Sequence, residues 1–364
     1  MTEYNFQSSP VQSSPVQSSP VQSVIIPTYN RKEFLADAIN SVLSQTQKSL
    51  EVIVVDDCST DGTGDFVKSL TDKRVHYFRN DKNSGQELSR MNGFRQARGK
   101  YITFLDDDDY YTDYDFFAKA VRLHEEHEAA GDPLVMVYAN AKILDMQRNI
   151  GIVGDIGSSG RVKGLDFVLR RKGYAKPPST FPTVFRAETL RRAGLYDNII
   201  FDTETYCQAA LLGDAWLMNG VIGMYRLHKQ SSTLGYNNHP VQNKRIDAKI
   251  KAMAERGVII AEGICALTNK KEADEWCIHD AKVLLYCYRG QQKYINELRT
   301  YGKAMLIMSK FTSKVLMMSP FWEIRRLIMS PFWKIRRLLS KITPLRKLYR
   351  FVKYRLSGKP YPEF

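Results

Sequence analysis

The sequence predicts an α/β fold: a doubly wound mixed sheet flanked by helices, followed by a helical C-terminal extension. Two observations predict it. Between Ser23 and Asp109, short apolar runs alternate with segments of helical period, the pattern of parallel strands joined by crossover helices. Three of those runs end in polar clusters, Thr28-Tyr29-Asn30, Asp56-Asp57 and Asp106 to Asp109. Doubly wound sheets bind ligands beyond the carboxyl ends of their strands.

The elements follow in order. Gln7 to Val21 is three copies of Gln-Ser-Ser-Pro-Val, too polar and Pro-rich to build a core, and reads as an extended, disordered leader. Val24-Ile25-Ile26, closed by Pro27, is a buried strand. Phe34, Leu35, Ala38, Ile39, Val42 and Leu43 have helical spacing within Glu33 to Ser44. Val52 to Val55 is a second strand; Asp61-Gly62 is a turn, and Phe66 to Leu70 begins a helix. Val75 to Phe78 is a third strand. Leu88 to Ala97 is helical, and Gly99 is expected to stop it. Tyr101 to Leu105 is a fourth strand. Phe116 to Ala129 reads as a helix, Leu134 to Leu144 as a strand and Gly151 to Gly164 as a flexible Gly-rich loop. Thr183 to Phe185 is a short strand, and Glu204 to Leu212 a helix closed by Gly213. The sheet is expected to end near Tyr225, and Lys244 to Leu298 to be largely helical. The chain thus divides into a leader (1–22), an α/β domain (23–235), a helical extension (236–300) and a basic amphipathic tail (301–364).

Composition narrows the class. The 364 residues are 43% hydrophobic and 25% charged, as in soluble globular proteins. No apolar run reaches the roughly 18 residues that span a bilayer, and no secretory signal pattern opens the chain. Cys58, Cys207, Cys265, Cys277 and Cys287 form no CxxC pair, so free thiols in a reducing compartment are expected and a zinc site is not. The stretch Tyr301–Phe364 holds 15 Lys and Arg against 2 Asp and Glu, which is nearly all of the net charge of +14. Within it, Met318–Ile328 and Met329–Leu339 repeat Met-Ser-Pro-Phe-Trp-(Glu/Lys)-Ile-Arg-Arg-Leu. Each unit opens with Ser-Pro, a helix start. In the second, Phe332, Ile335, Leu339 and Ile342 lie opposite Lys334, Arg337 and Lys341. Aromatic and basic residues so arranged mark an interfacial membrane helix. The expected partner is an anionic membrane surface, which places the chain at the cytoplasmic face of a membrane. Docking of the tail on the enzyme body is the alternative, and no nucleic-acid motif appears.

Asp106-Asp107-Asp108-Asp109 carries the chemistry. Four adjacent carboxylates repel one another, and at the end of a buried strand they call for a cation. Hard oxygen ligands favour Mn²⁺ or Mg²⁺. The competing reading, a solvated acidic turn, fits an isolated run better than one directly after Tyr101 to Leu105.

Three blocks together resemble the family 2 glycosyltransferases: Ser-Val-Ile-Ile-Pro-Thr-Tyr-Asn-Arg (Ser23–Arg31), Val-Val-Asp-Asp-Cys-Ser-Thr-Asp-Gly-Thr (Val54–Thr63) and Gly-Lys-Tyr-Ile-Thr-Phe-Leu-Asp-Asp-Asp-Asp (Gly99–Asp109). The resemblance implies a GT-A fold and metal-dependent, inverting transfer from a nucleotide-sugar donor. The expected donor is a UDP-hexose or UDP-N-acetylhexosamine. The expected acceptor is a hydroxyl of a glycan or glycolipid, in bacterial cell-surface polysaccharide or lipopolysaccharide synthesis.

It also implies roles. Pro27, Thr28 and Tyr29 would border the nucleobase, and Asp57 would bond the uracil ring. Asp106 and Asp108 would be the aspartates of the DxD metal motif, with Asp107 beside the donor nucleotide. Arg90, in Arg90–Gly93, would touch the diphosphate, although Met91 departs from the family's Arg-Asn-x-Gly. Asp202 takes the position of the catalytic base; Phe201 replaces the usual acidic neighbour, which leaves Glu204 as the alternative. His228, in Tyr225-Arg226-Leu227-His228, would reach the metal or the diphosphate. Two other functions compete. A catalytically inactive scaffold of the same fold would be expected to lose these carboxylates. A nucleotidyltransferase would carry a Gly-rich basic loop where Pro27-Thr28-Tyr29-Asn30 stands.

Overall fold

The computed structural model of the protein describes residues 19–195, 202–228 and 231, with Ile260, Ile264, residues 266–268 and Glu272. Residues 1–18 of the expected leader, all but a few residues of the helical extension, and the basic tail lie outside the described residues, while Gln22, expected to end the leader, is buried as the first residue of the first strand.

The first strand, β1 (Gln22–Thr28), is wholly buried and runs through Pro27 rather than stopping there. Proline lacks the N–H that a ladder needs. In β1 the odd residues face the fourth strand, since Leu105 N–H donates to the Ile25 carbonyl, and that ladder ends at Ile25–Phe104. The missing N–H of Pro27 therefore falls beyond it, while β2 (Leu50–Asp56) continues in parallel to Thr28–Asp56 on the other side. β3 (Val75–Arg79) and β4 (Tyr101–Phe104) complete a parallel set. α1 (Lys32–Leu43), α2 (Thr63–Ser69) and α3 (Gln86–Gln96) connect these strands.

Alternation along the strands divides the core in two. Val24, Ile26, Val52 and Val54 join Leu35, Ile39 and Val42 of α1 in one cluster. Ile25, Ile53 and Val55 join Met91 and Phe94 of α3 in the other. Near-continuous apolar runs are what strands buried on both faces require.

After β5 (Tyr110–Tyr111) and α4 (Phe116–Ala129) come β6 (Met136–Asp145), β7 (Ile150–Val153), β8 (Gly160–Val162), α5 (Gly164–Val168), β9 (Thr183–Arg186), α6 (Ala187–Arg192), α7 (Asp202–Ala210) and β10 (Ala215–Leu227). Among the described residues the sheet has ten strands, in the order β3-β2-β1-β4-β9-β6-β10-β5, with β7 beside β6 and β8 beside β10. β9 is antiparallel to both β4 and β6, so the sheet is mixed, as expected. From β1 the chain winds outward through β2 and β3 and then returns to place β4 on the other side of β1. The carboxyl ends of the two strands at that switch point are Thr28 and Phe104.

Two further expectations are corrected. Gly99 does not stop α3: the helix ends at Gln96, and Ala97 is already extended. Gly99 is needed for close approach, since a Cβ there would lie 2.5 Å from the Ser23 backbone nitrogen. The stretch from Gly151 to Gly164 is not a plain loop. Ile150 to Val153 pairs antiparallel with β6, and Gly160 to Val162 with β10. β10 carries the sheet to Leu227, close to its expected end near Tyr225, although this long strand itself was not foreseen. Its register shifts around Val221 interrupt the period that would have announced a strand.

Candidate active site

The aspartate run forms the turn between β4 and β5. Asp106, Asp108 and Asp109 each offer a carboxylate oxygen within 4.8 Å of the others. All of the turn is buried or nearly so, which opposes ionisation. Burial pushes the Asp106 carboxyl up, against the pull of Arg90, and raises Asp107 to about 7 despite Arg31. Burial and the neighbouring carboxylates push Asp109 well above the usual range. Burial opposes ionisation of Asp108 too, but the His228 hydrogen bond and Arg31 outweigh it and hold that carboxyl low.

Two arginines meet this charge. Arg31 Nη1 lies 3.0 Å from Asp107 Oδ1 and 2.9 Å from Asp108 Oδ2. Arg90 is buried, with Nη2 2.5 Å from Asp106 Oδ1 and Nη1 2.5 Å from Asp202 Oδ1. Gln86 Nε2 also donates to Asp106, at 2.5 Å. A divalent cation fits the donor set. Three hard-oxygen groups converge, and Asp109 Oδ2 is buried with no hydrogen-bond partner among the described residues.

Asp202 opens α7, and its bond to Arg90, 112 residues away in sequence, brings it to the aspartate turn. Glu204, two residues on, is buried. His228 Nε2 is 3.0 Å from Asp108 Oδ2, and its ring stacks on Phe34 at 4.5 Å. The third carboxylate of the convergent set is thus Asp109, which the sequence reading did not name as a ligand, and His228 stands behind Asp108 as its hydrogen-bond partner.

At the end of β1, Thr28 Oγ1 donates to Asp107 Oδ2 at 2.8 Å, Pro27 is buried, and Tyr29 is exposed. Asp57 accepts from Asn80 Nδ2 at 2.9 Å and from the Ser84 and Gly85 backbone N–H groups at 2.8 and 2.7 Å. Its carboxylate shapes the entry to α3 and so places Arg90. Sequence reasoning missed Arg31, Asp109 and Arg226. Asp109 was visible in the run, and Arg31 and Arg226 stood inside the quoted segments Ser23–Arg31 and Tyr225–His228, but no role was assigned to either.

A mixed sheet with an acidic, oxygen-rich cluster at its switch point is the GT-A class of fold. S. aureus TarS (residues 1–349), in its complex with UDP, matches with a TM-score of 0.57 at 17% identity over 94% of this chain and 93% of that one. Its complex with UDP-GlcNAc gives 0.55 at 17% identity over the same shares. The family profile "Glycosyl transferase family 2" matches residues 23–192. A Campylobacter jejuni protein, "GalNAc(5)-diNAcBac-PP-undecaprenol beta-1,3-glucosyltransferase", is 31% identical over 222 residues, 58% of this chain and 67% of that relative. The chain belongs to the family 2 glycosyltransferases. Bacillus subtilis TuaG, a putative teichuronic acid biosynthesis glycosyltransferase, is 42% identical over 88 residues, 24% of this chain. The chain spans only 35% of the length of TuaG and 15% of an uncharacterised Rickettsia felis glycosyltransferase.

Proposed function

We propose that the chain is an inverting glycosyltransferase that moves a hexose or N-acetylhexosamine from a UDP-sugar to a hydroxyl of a glycan or lipid-linked acceptor, in the assembly of a bacterial cell-surface polysaccharide. One observation carries this reading: the buried Arg90 guanidinium joins Asp202 to the aspartate turn, so a base and an acidic cation site share one locus. The donor class draws support from the UDP and UDP-GlcNAc complexes of TarS. The acceptor class draws it from the C. jejuni relative and from an E. coli relative, "UDP-Glc:alpha-D-GlcNAc-diphosphoundecaprenol beta-1,3-glucosyltransferase WfaP".

In this reading Asp202 takes the proton of the acceptor hydroxyl as it attacks the sugar. Arg90 holds the Asp202 carboxylate in place and would touch the donor diphosphate. Pro27, Thr28 and Tyr29 border the nucleobase, with Asp57 behind them and Asp107 beside the ribose-phosphate end. Asp106, Asp108 and Asp109 would hold Mn²⁺ or Mg²⁺, and His228, hydrogen-bonded to Asp108, would reach the same cation or the diphosphate. Bound there, the cation supplies positive charge against the leaving diphosphate. Residues 23–235 form the catalytic domain, and residues 301–364 attach it to an anionic membrane at the cytoplasmic face. Among the described residues no helix is long and apolar enough to cross a membrane.

A donor screen with Mn²⁺ and with Mg²⁺, reading released nucleotide diphosphate, tests the function. Release from a UDP-sugar that disappears in Asp108→Ala is expected. Release that survives Asp108→Ala unchanged refutes the assignment of the cation site.

A further inference from the structure

Arg226 lies on β10, two residues before His228, and its side chain is 8% exposed. Its guanidinium is held on several sides. Cζ lies 4.8 Å from the ring centre of Phe34 on α1 and 4.8 Å from that of Tyr110 on β5. Nη1 donates to Asp37 Oδ2 of α1 at 2.8 Å. Nε donates to the backbone carbonyl of Asp108. The Arg226 backbone N–H donates to Asp109 Oδ1 at 3.0 Å. One residue therefore bonds both the Asp108 carbonyl and the Asp109 carboxylate, while its charge lies against two aromatic rings. Phe34 is also the ring on which His228 stacks.

We infer that Arg226 is the positioning residue of the cation site. It fixes the Asp108–Asp109 turn and, through Phe34, the His228 ring, so that three carboxylates stay converged before any cation arrives. This rests on the cation-site reading given above. Left to their own repulsion, adjacent carboxylates would splay. A cation bound to the carbonyl of one and paired through the backbone with the next opposes that, and anchoring to α1 keeps the turn from following solvent. The chemistry is specific to arginine. A planar guanidinium stacks on rings while donating in its plane, whereas a lysine ammonium is a point charge that cannot hold both rings and both acceptors. Residues that orient metal ligands in this way typically change metal affinity by about 10- to 100-fold when replaced.

The test is calorimetric titration of Mn²⁺ alone into the full chain, beside thermal melts in EDTA. Arg226→Lys is expected to weaken Mn²⁺ binding at least ~10-fold, with a melting point in EDTA close to that of the parent. Tyr110→Leu removes one wall without touching His228 and is expected to weaken binding in the same direction; Tyr110→Phe keeps the wall and is expected to bind as the parent does. If Arg226→Lys fails to fold, the Tyr110 pair carries the test. Folded variants that bind Mn²⁺ like the parent overturn the inference, as does Tyr110→Phe losing as much affinity as Tyr110→Leu. A parent chain that takes up no Mn²⁺ overturns the cation-site reading itself, and this inference with it.

Discussion

At the scale of single residues, the contact between Arg90 and Asp202 separates the two carboxylates that open α7. Asp202 is tied to the aspartate turn through that guanidinium, at 2.5 Å. Glu204 is buried. Asp202→Asn keeps the shape of the side chain but removes its basicity. It is expected to leave UDP binding near that of the parent and to lower turnover by roughly 10²- to 10⁴-fold, as loss of a general base does. Glu204→Gln is expected to retain most of its turnover. Single-turnover kinetics beside calorimetry of UDP decide this; an active Asp202→Asn with a dead Glu204→Gln would transfer the role. The aspartate run and Asp202 were legible because short motifs carry them. Arg31 and Arg226 also lie in short motifs, but their roles were not legible, because each gains its meaning from partners far along the chain: Asp107 and Asp108 for the first, Asp37 and Tyr110 for the second.

At the scale of elements, α3 and α4 show how closely helices meet this sheet. Gly93 sits inside α3, where glycine normally costs about 0.5–1 kcal/mol relative to alanine. A Cβ there would lie 2.5 Å from Ile25 Cγ2 and 3.0 Å from Val55 Cγ2. Both neighbours are buried and β-branched, so they yield poorly. Overpacking costs of about 1–3 kcal/mol outweigh the propensity gain, and Gly93→Ala is expected to lower stability in urea unfolding. An increase would mean that α3 lies farther from β1. On α4, His124 is fully buried, stacked on Tyr101 at 4.6 Å, with Nε2 2.9 Å from the Val184 carbonyl. Burial, the largest cause, lowers its pKa from 6.5 to about 4. Between those values the unfolded chain binds the proton and the folded chain does not. The contribution is therefore complete above about pH 6.5 and is lost as pH falls toward 4, by about 3 kcal/mol. His124→Phe keeps the ring stack and is expected to flatten that part of the pH dependence. Equal slopes for parent and variant between pH 7 and 4.5 would exclude it. Strands β1 to β4 and α4 were legible because their apolar patterns are unbroken. β7, β8 and β10 were not: glycines interrupt them, and their pairing partners, rather than local pattern, make them strands.

At the scale of the whole molecule, the chain is asymmetric in charge. The 64 residues from Tyr301 carry almost all of the net charge of +14, while the acidic cluster lies at the switch point of the sheet. A basic segment gains nothing from a neutral surface but about 1 kcal/mol per Lys or Arg at an anionic leaflet. Phe321, Trp322, Phe332 and Trp333, each one or two residues from a Ser-Pro step, add apolar area for burial at the same interface. A lipid-linked acceptor would then be met by diffusion in two dimensions. The full chain is expected to float with vesicles rich in acidic lipid and to remain behind with neutral ones. Raising the salt to 1 M, where the screening length falls to about 3 Å, should release most of it. Replacing Arg325, Arg326, Arg336 and Arg337 together by Gln should lower the floating fraction at low salt without changing donor hydrolysis in solution, because the substitutions lie far along the chain from the aspartate turn. Flotation that is indifferent to lipid charge, to salt and to these arginines would assign the tail to contacts within the protein instead.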